Sequence, residues 1–201
     1  MSAGTPRPRG RPANTPSEVT RARILEAARH LFADRGYAAT SNRAIAERAG
    51  LAHTAIYNHF DSKAGLFRAV FDEVQDLLSA ELARATEGGS GADEFPLALL
   101  SAAEALRAAD PTSVAFLASM YVEVNRHDEL RQVFQRGPTV PIVDTIGALS
   151  GGGGATRGDE FDEDLWFWIV FGIGLAQFGS LAGDELFAAA IAGFRARFSG
   201  P

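Results

Sequence analysis

The sequence predicts an all-α protein: an N-terminal three-helix helix-turn-helix domain followed by a larger helical domain. Three observations lead there. Apolar residues recur at three- and four-residue spacing from Ile24 onward, no stretch alternates apolar and polar residues as a half-buried strand does, and two short helical segments meet at Gly50-Leu51-Ala52. With 46% hydrophobic and 22% charged residues, the 201-residue chain has an ordinary globular composition and can bury a sizeable core.

Residues 1–14 are rich in Arg and Pro and carry no apolar period, so they read as a flexible basic arm. Thr15 is a cap for the first helix, Pro16 suits the first helical position with its fixed φ and missing N–H, and Glu18 completes a capping box. Ile24, Ala27, Ala28, Leu31 and Phe32 form one apolar stripe, and Gly36 supplies the left-handed residue that ends the helix. Thr40 and Ser41 are cap candidates for a short second helix holding Ala44, Ile45 and Ala49, stopped by Gly50. A third helix is expected from about Ala52 to Phe60.

Asp61 or Ser62 then caps a long fourth helix, whose Leu66, Phe67, Val70, Phe71, Val74, Leu77, Leu78 and Leu82 keep the helical period. The expected division is an arm at 1–14, a DNA-binding domain at 15–62 and a helical domain at 63–201, with the helix over 63–86 as the link. Glu87 to Ala92 is Gly-rich and ends that helix. Further helices are expected at 94–108, 111–126, 128–135 and 139–149. Ser150 to Gly158 contains four consecutive glycines and reads as a loop, and Asp162 to Ala182 with Asp184 to Phe198 form a final helix pair.

The net charge of −6 hides an asymmetry. Up to Arg68 there are 11 Lys and Arg against 5 Asp and Glu, whereas the remainder holds 8 against 20, so the two parts carry +6 and −12. A basic N-terminal block suits phosphates, and an acidic remainder points away from them. The absence of Cys excludes disulfides, thiolate metal sites and cysteine nucleophiles. The opening residues hold no apolar segment, from which a cytoplasmic protein is expected.

Two short helices behind a supporting one form the geometry that sets the second of the pair into a DNA major groove. At about 100° per residue, His53, Thr54, Tyr57 and Asn58 share one arc, while Ile56 and Phe60 lie opposite, toward Leu31, Phe32 and Ile45. These residues resemble the tetracycline-repressor (TetR) family of regulators. Thr20, Ile24, Ala27, Leu31-Phe32, Gly36-Tyr37, Thr40-Ser41, Arg43, Ile45-Ala46, Ala49-Gly50-Leu51, Ile56-Tyr57, His59-Phe60, Ser62-Lys63 and Leu66 all stand at that family's spacing. The resemblance covers residues 18–66. It implies two-fold dimers, an operator of two half-sites, and release of DNA when a ligand enters the C-terminal domain, with repression as the usual outcome.

By the same resemblance Arg43, His53 and Thr54 occupy the places of base-edge readers. Arg donates twice to guanine and the Thr methyl touches thymine. Asn58 suits adenine, or the backbone one turn further along. Tyr57, His59, Lys63 and the hydroxyls of Thr40 and Ser41 take the places of phosphate contacts, which set register without reading sequence. One departure is Ala52, where the family usually has Ser; a hydroxyl cap for the third helix is missing. Arg9-Gly10-Arg11-Pro12 resembles the core of an AT-hook, which lays Arg9 and Arg11 in a narrow minor groove; the alternative is a solvated basic tail attracted to phosphates generally.

Leu165 to Ala182 carries no charge, which reaches the lower limit of a membrane span, but the acidic residues at both ends oppose that reading. A helix apolar all round is otherwise buried on every side, and a four-helix bundle across a two-fold axis does that. Leu165, Ile169, Gly172, Leu175 and Gly179, with Phe187, Ile191 and Phe194 of the last helix, are the expected dimer contacts. Phe95, Phe116, Met120, Tyr121, Phe134, Trp166 and Trp168 are candidates to line a cavity for a small apolar or aromatic effector. No cofactor is expected, and no catalytic pattern stands out. His30, His53, His59 and His127 lack metal-ligand spacing, and neither Gly-rich segment continues into a phosphate-binding or nucleophile motif.

Overall fold

A computed structural model of the chain describes residues 16–86, 95–136 and 163–198, with side chains from residue 167 onward in the last segment. Arg9, Arg11 and the helix expected at 139–149 lie outside the described residues, as do the side chains of Leu165 and Trp166. The described residues form helices, without strands: α1 (Pro16–Ala39), α2 (Asn42–Ala49), α3 (Thr54–Tyr57), α4 (Lys63–Ala85), α5 (Phe95–Ala109), α6 (Pro111–Arg126), α7 (Asp128–Arg136), α8 (Glu163–Leu181) and α9 (Asp184–Phe198). None of them is long and apolar enough to cross a membrane.

The helix ends follow the local chemistry. Gly36 has φ 76° and ψ 174°, a region open essentially to Gly alone, and kinks α1 before Tyr37. Ser41 caps α2 by accepting from the Ala44 amide at 3.1 Å. At the other end Gly50 is left-handed, with φ 65° and ψ 39°, and Leu51 N–H returns to the Ala46 carbonyl at 2.9 Å. Ser62, not Asp61, caps α4, accepting from Gly65 N–H at 2.9 Å. The third helix is shorter than expected. Its regular part is Thr54–Tyr57, so the cap position falls on His53 and not on Ala52 as the spacing suggested, and no side chain caps it. Three-residue bonds, from Ala55 N–H to the Ala52 carbonyl at 2.9 Å and from His59 N–H to the Ile56 carbonyl at 3.1 Å, carry the turn on either side.

One core joins what the sequence divides at residue 62. Ile24, Leu31, Phe32, Ile45 and Ile56 are buried together with Phe67, Val70 and Phe71 of α4, and with Phe116, Met120 and Leu130 of α6 and α7. Phe67 meets Phe32, Tyr37 and Phe116 at ring distances of 5.0, 5.5 and 4.9 Å. Arg29 adds a polar tie. Its guanidinium, 11% exposed, pairs with Glu73 at 3.1 Å and Asp110 at 2.6 Å, binding α1 to α4 and to the cap of α6. Removing one carboxylate leaves that charge partly unpaired in a poorly solvated place. The helix-turn-helix is therefore seated on α4 and α6, not hung from a linker.

Two smaller clusters fill the far end. Leu82, Phe95, Ala98, Leu99 and Ala102 form one, and Leu100, Leu175, Ala182, Phe187 and Ile191 the other. Arg107 donates to the carbonyls of Gly179 and Ala182 and to Asp184, closing the turn between α8 and α9.

Candidate nucleic-acid interface and ligand cavity

Ile56 is fully buried and Phe60 nearly so, which clamps α3 on α1 and α2 and turns its other face outward. On that outer face His53, Thr54, Tyr57 and Asn58 are all exposed. Tyr57 is 55% exposed and its ring stands edge-on to His53 at 5.3 Å, so it is no core residue. Arg43 is exposed on α2, where Glu47 one turn on holds its Nε at 2.8 Å. That pair lies in solvent and is weak, so a guanine edge can compete for the guanidinium. Ser41 is exposed beside it and His59 is half-buried.

Two expected phosphate ligands are turned elsewhere. Thr40 is 2% exposed, and its hydroxyl donates to the Gly36 carbonyl at 2.8 Å and the Leu31 carbonyl at 3.1 Å, so it locks the kink. Lys63 directs Nζ to the carbonyls of Tyr37 at 2.9 Å and Thr40 at 3.1 Å and lies over the Tyr37 ring at 4.0 Å. Burial pulls its pKa below the ordinary lysine value, against the opposing pull of Glu129 and Glu123. Both residues donate to backbone carbonyls around the kink, a role that spacing alone does not reveal. The sequence reading also passed over Arg21 and Arg23. Both are exposed on α1: Arg21 lies over the Phe60 ring at 5.4 Å, and Arg23 donates to the Ala49 carbonyl at the end of α2. Their position off the apolar stripe of α1 was the available signal.

Between α4, α5, α6 and α8 lies a cavity of about 100 Å³. Tyr121 and Trp168, two of the expected lining residues, do line it. The others among the described side chains do not. Phe95, Phe116 and Met120 are buried core, and Phe134 packs on Phe71 at 5.1 Å and under the Arg68 guanidinium. Most of the remaining wall is aliphatic, with Leu78, Leu99, Leu106, Val114 and Leu117 on one side and Ile169, Gly172, Ile173 and Leu175 on the other, and Phe187 adds an aromatic ring. Gln75 also lines it.

The final helices correct the expected dimer contacts. Leu175, Gly179, Phe187 and Ile191 are buried within this chain, and a Cβ on Gly179 meets Phe187 at 3.1 Å and Val114 at 3.2 Å. Gly172 and Ile169 face the cavity, and Phe194 packs edge-on to Phe171 at 5.5 Å. The outward stripe is a different one. Phe167, Val170, Gly174 and Leu181 of α8 are exposed, as are Leu186, Ala189, Gly193 and Ala196 of α9.

The family profile described as "Bacterial regulatory proteins, tetR family" matches residues 24–70. The HTH-type transcriptional regulator TtgR of Pseudomonas putida is 43% identical over 77 residues, covering 38% of this chain and 36% of that protein. The chain thus spans about a third of the length of the curated relatives it matches. Solved structures align over nearly all of it. Salmonella enterica GusR gives a TM-score of 0.65 at 20% identity, covering 92% of this chain and 96% of its own. A TetR-like transcriptional regulator from Rhodococcus sp. RHA1 gives 0.62 at 20%, covering 94% and 100%. At that identity the likeness is one of fold.

Proposed function

We propose that this chain, whose residues 24–70 match the profile of the tetR family of bacterial regulatory proteins, is a dimeric repressor of that family that releases a two-fold operator when a small molecule enters its C-terminal cavity. The observation that carries the reading is the outward face of the helix-turn-helix. Arg43, His53, Thr54, Tyr57 and Asn58 stand exposed on a scaffold fixed by Ile45, Ile56 and Phe60. Arg43, Thr54 and Asn58 offer base-edge chemistry. Ser41, Tyr57 and His59 offer hydrogen-bond donors for phosphate, and Arg21 and Arg23 supply charge beside them. Arg9 and Arg11 extend the contact into the minor groove.

The dimer reading is supported by the stripe on α8 and α9. Val170 is 63% and Leu181 85% exposed, a cost in water that a second copy removes. The small residues Gly174, Ala189, Gly193 and Ala196 let two helices approach closely, giving a four-helix bundle about a two-fold axis. Two half-sites are then bound by linked domains. Cytoplasmic residence follows from a duplex partner, and no cofactor or catalytic step enters the reading.

Selection of bound sequences from random duplexes tests it. Enrichment of an inverted repeat with half-sites about one helical turn apart is expected. Recovery of no common sequence, or of a single asymmetric site, contradicts the reading.

A further inference from the structure

We infer that the effector is an uncharged, mainly hydrocarbon alcohol of about one ring, held by a hydrogen bond from its hydroxyl to Gln75. The inference rests on the reading of this cavity as the effector site and specifies what it recognises.

Gln75 sits on α4, between Val74 and the turn that carries Leu78. It is 4% exposed, lines the cavity, and its Oε1 has no hydrogen-bond partner within the protein. A buried amide oxygen without a partner is uncommon and costly in a folded protein, so it marks where a donor belongs. Around it the wall is hydrocarbon, with Leu78, Leu106, Leu117 and Ile173 among the lining residues. Tyr121 and Trp168 add a hydroxyl and an indole N–H to the wall, but Gln75 Oε1 is the buried lining atom left without a partner, and a few placed polar groups fix the orientation of a ligand in an apolar pocket.

Charge on the ligand is opposed by the same wall. No lining residue carries a charge, and a carboxylate or ammonium moved there loses its hydration without a counter-ion. The guanidinium of Arg107 lies over the Phe187 ring at 4.8 Å, but its donors are committed to Gly179, Ala182 and Asp184. Size follows from volume. About 100 Å³ is below the roughly 150 Å³ of an engineered cavity known to take benzene, so a single ring is the upper limit and enters only as the wall yields outward. Trp168 in the wall makes occupancy readable by fluorescence.

The test uses the full chain and three probes of one frame: cyclohexanol, chlorocyclohexane of similar shape without a donor, and cyclohexanecarboxylate. Dissociation constants are taken from tryptophan fluorescence and calorimetry for the unaltered protein and for Gln75→Leu and Gln75→Met. Cyclohexanol is expected to bind, the carboxylate not to. The preference for cyclohexanol over chlorocyclohexane is expected to fall about tenfold or more in either variant. Should one variant fail to fold, the other and the probe series on the unaltered protein carry the test. Equal affinity for cyclohexanol and chlorocyclohexane in the unaltered protein, preferential binding of the carboxylate, or a preference unchanged in the variants overturns the inference. Operator release is measured separately. Gln75-dependent binding without release leaves the ligand class standing and refutes the effector reading, whereas release that ignores Gln75 does the reverse.

Discussion

Replacing Gly36 by Ala attacks the joint that seats the helix-turn-helix. At φ 76° and ψ 174° the backbone occupies a region that a Cβ strains by about 1–3 kcal/mol. The new methyl also stands 2.6 Å from Glu123 Oε1, so that carboxylate must swing away from its 3.2 Å pairing with His127. The carboxylate is the far end of a flexible side chain, so this second part is the smaller. For a chain of this size each kcal/mol lowers the melting temperature by about 2–4 °C, giving a loss of roughly 2–12 °C. Calorimetry at one protein concentration reads it, because a dimer's apparent stability varies with concentration. Adding Glu123→Ala removes the contact but not the strain, so the double variant is expected to recover only a minor part. A Gly36→Ala protein as stable as the unaltered one, or full recovery in the double variant, refutes the backbone account.

Burial raises the Tyr37 pKa above its ordinary 10.0, reinforced by a hydrogen bond to Glu129 and by its charge; the folded state therefore keeps a proton the unfolded state releases. Stability is expected to fall as pH rises above 10.0, and Tyr37→Phe to flatten that fall in urea titrations across the alkaline range. Gly174→Glu places an unpaired carboxylate on the proposed dimer stripe and is expected to cost about 3 kcal/mol of association, over a hundredfold in the dimer constant by sedimentation. Gly172→Glu, facing the cavity, is expected to impair ligand binding more than dimer mass, and the opposite ranking counts against the stripe. Arg43→Ala is expected to relax preference at one operator position. Lys63→Met is expected to lower thermal stability by freeing the carbonyls of Tyr37 and Thr40, and a change in affinity without loss of stability contradicts that role.

The N-terminal elements were legible because each apolar stripe has one phase and each end its own capping residue. Ile24, Leu31, Ile45, Ile56 and Phe60 are inward as their spacing requires, and Ser41, Gly50 and Ser62 punctuate the chain where expected. The last helices were legible as elements but not in rotation. A run apolar on all sides has no polar face to set its phase, so Leu175 and Gly179 were assigned outward when they pack inward. Thr40 and Lys63 escaped for another reason: their partners are backbone carbonyls around the Gly36 kink, which no side-chain pattern displays. Aromatic composition likewise overstated the cavity, since Phe116 and Phe134 pack on Phe67 and Phe95 packs on Trp168, whereas Gln75 is marked only by its missing partner.

The central claim is that this helix-turn-helix face reads duplex DNA, and titration of a selected operator against a scrambled duplex of equal composition, over a series of salt concentrations, tests it most directly. The account predicts operator preference of at least about a thousandfold, with affinity falling steeply as salt rises. For a site engaging about six phosphates the log–log slope is near −5. Equal affinity for the two duplexes, or a response flat between low and physiological salt, contradicts it.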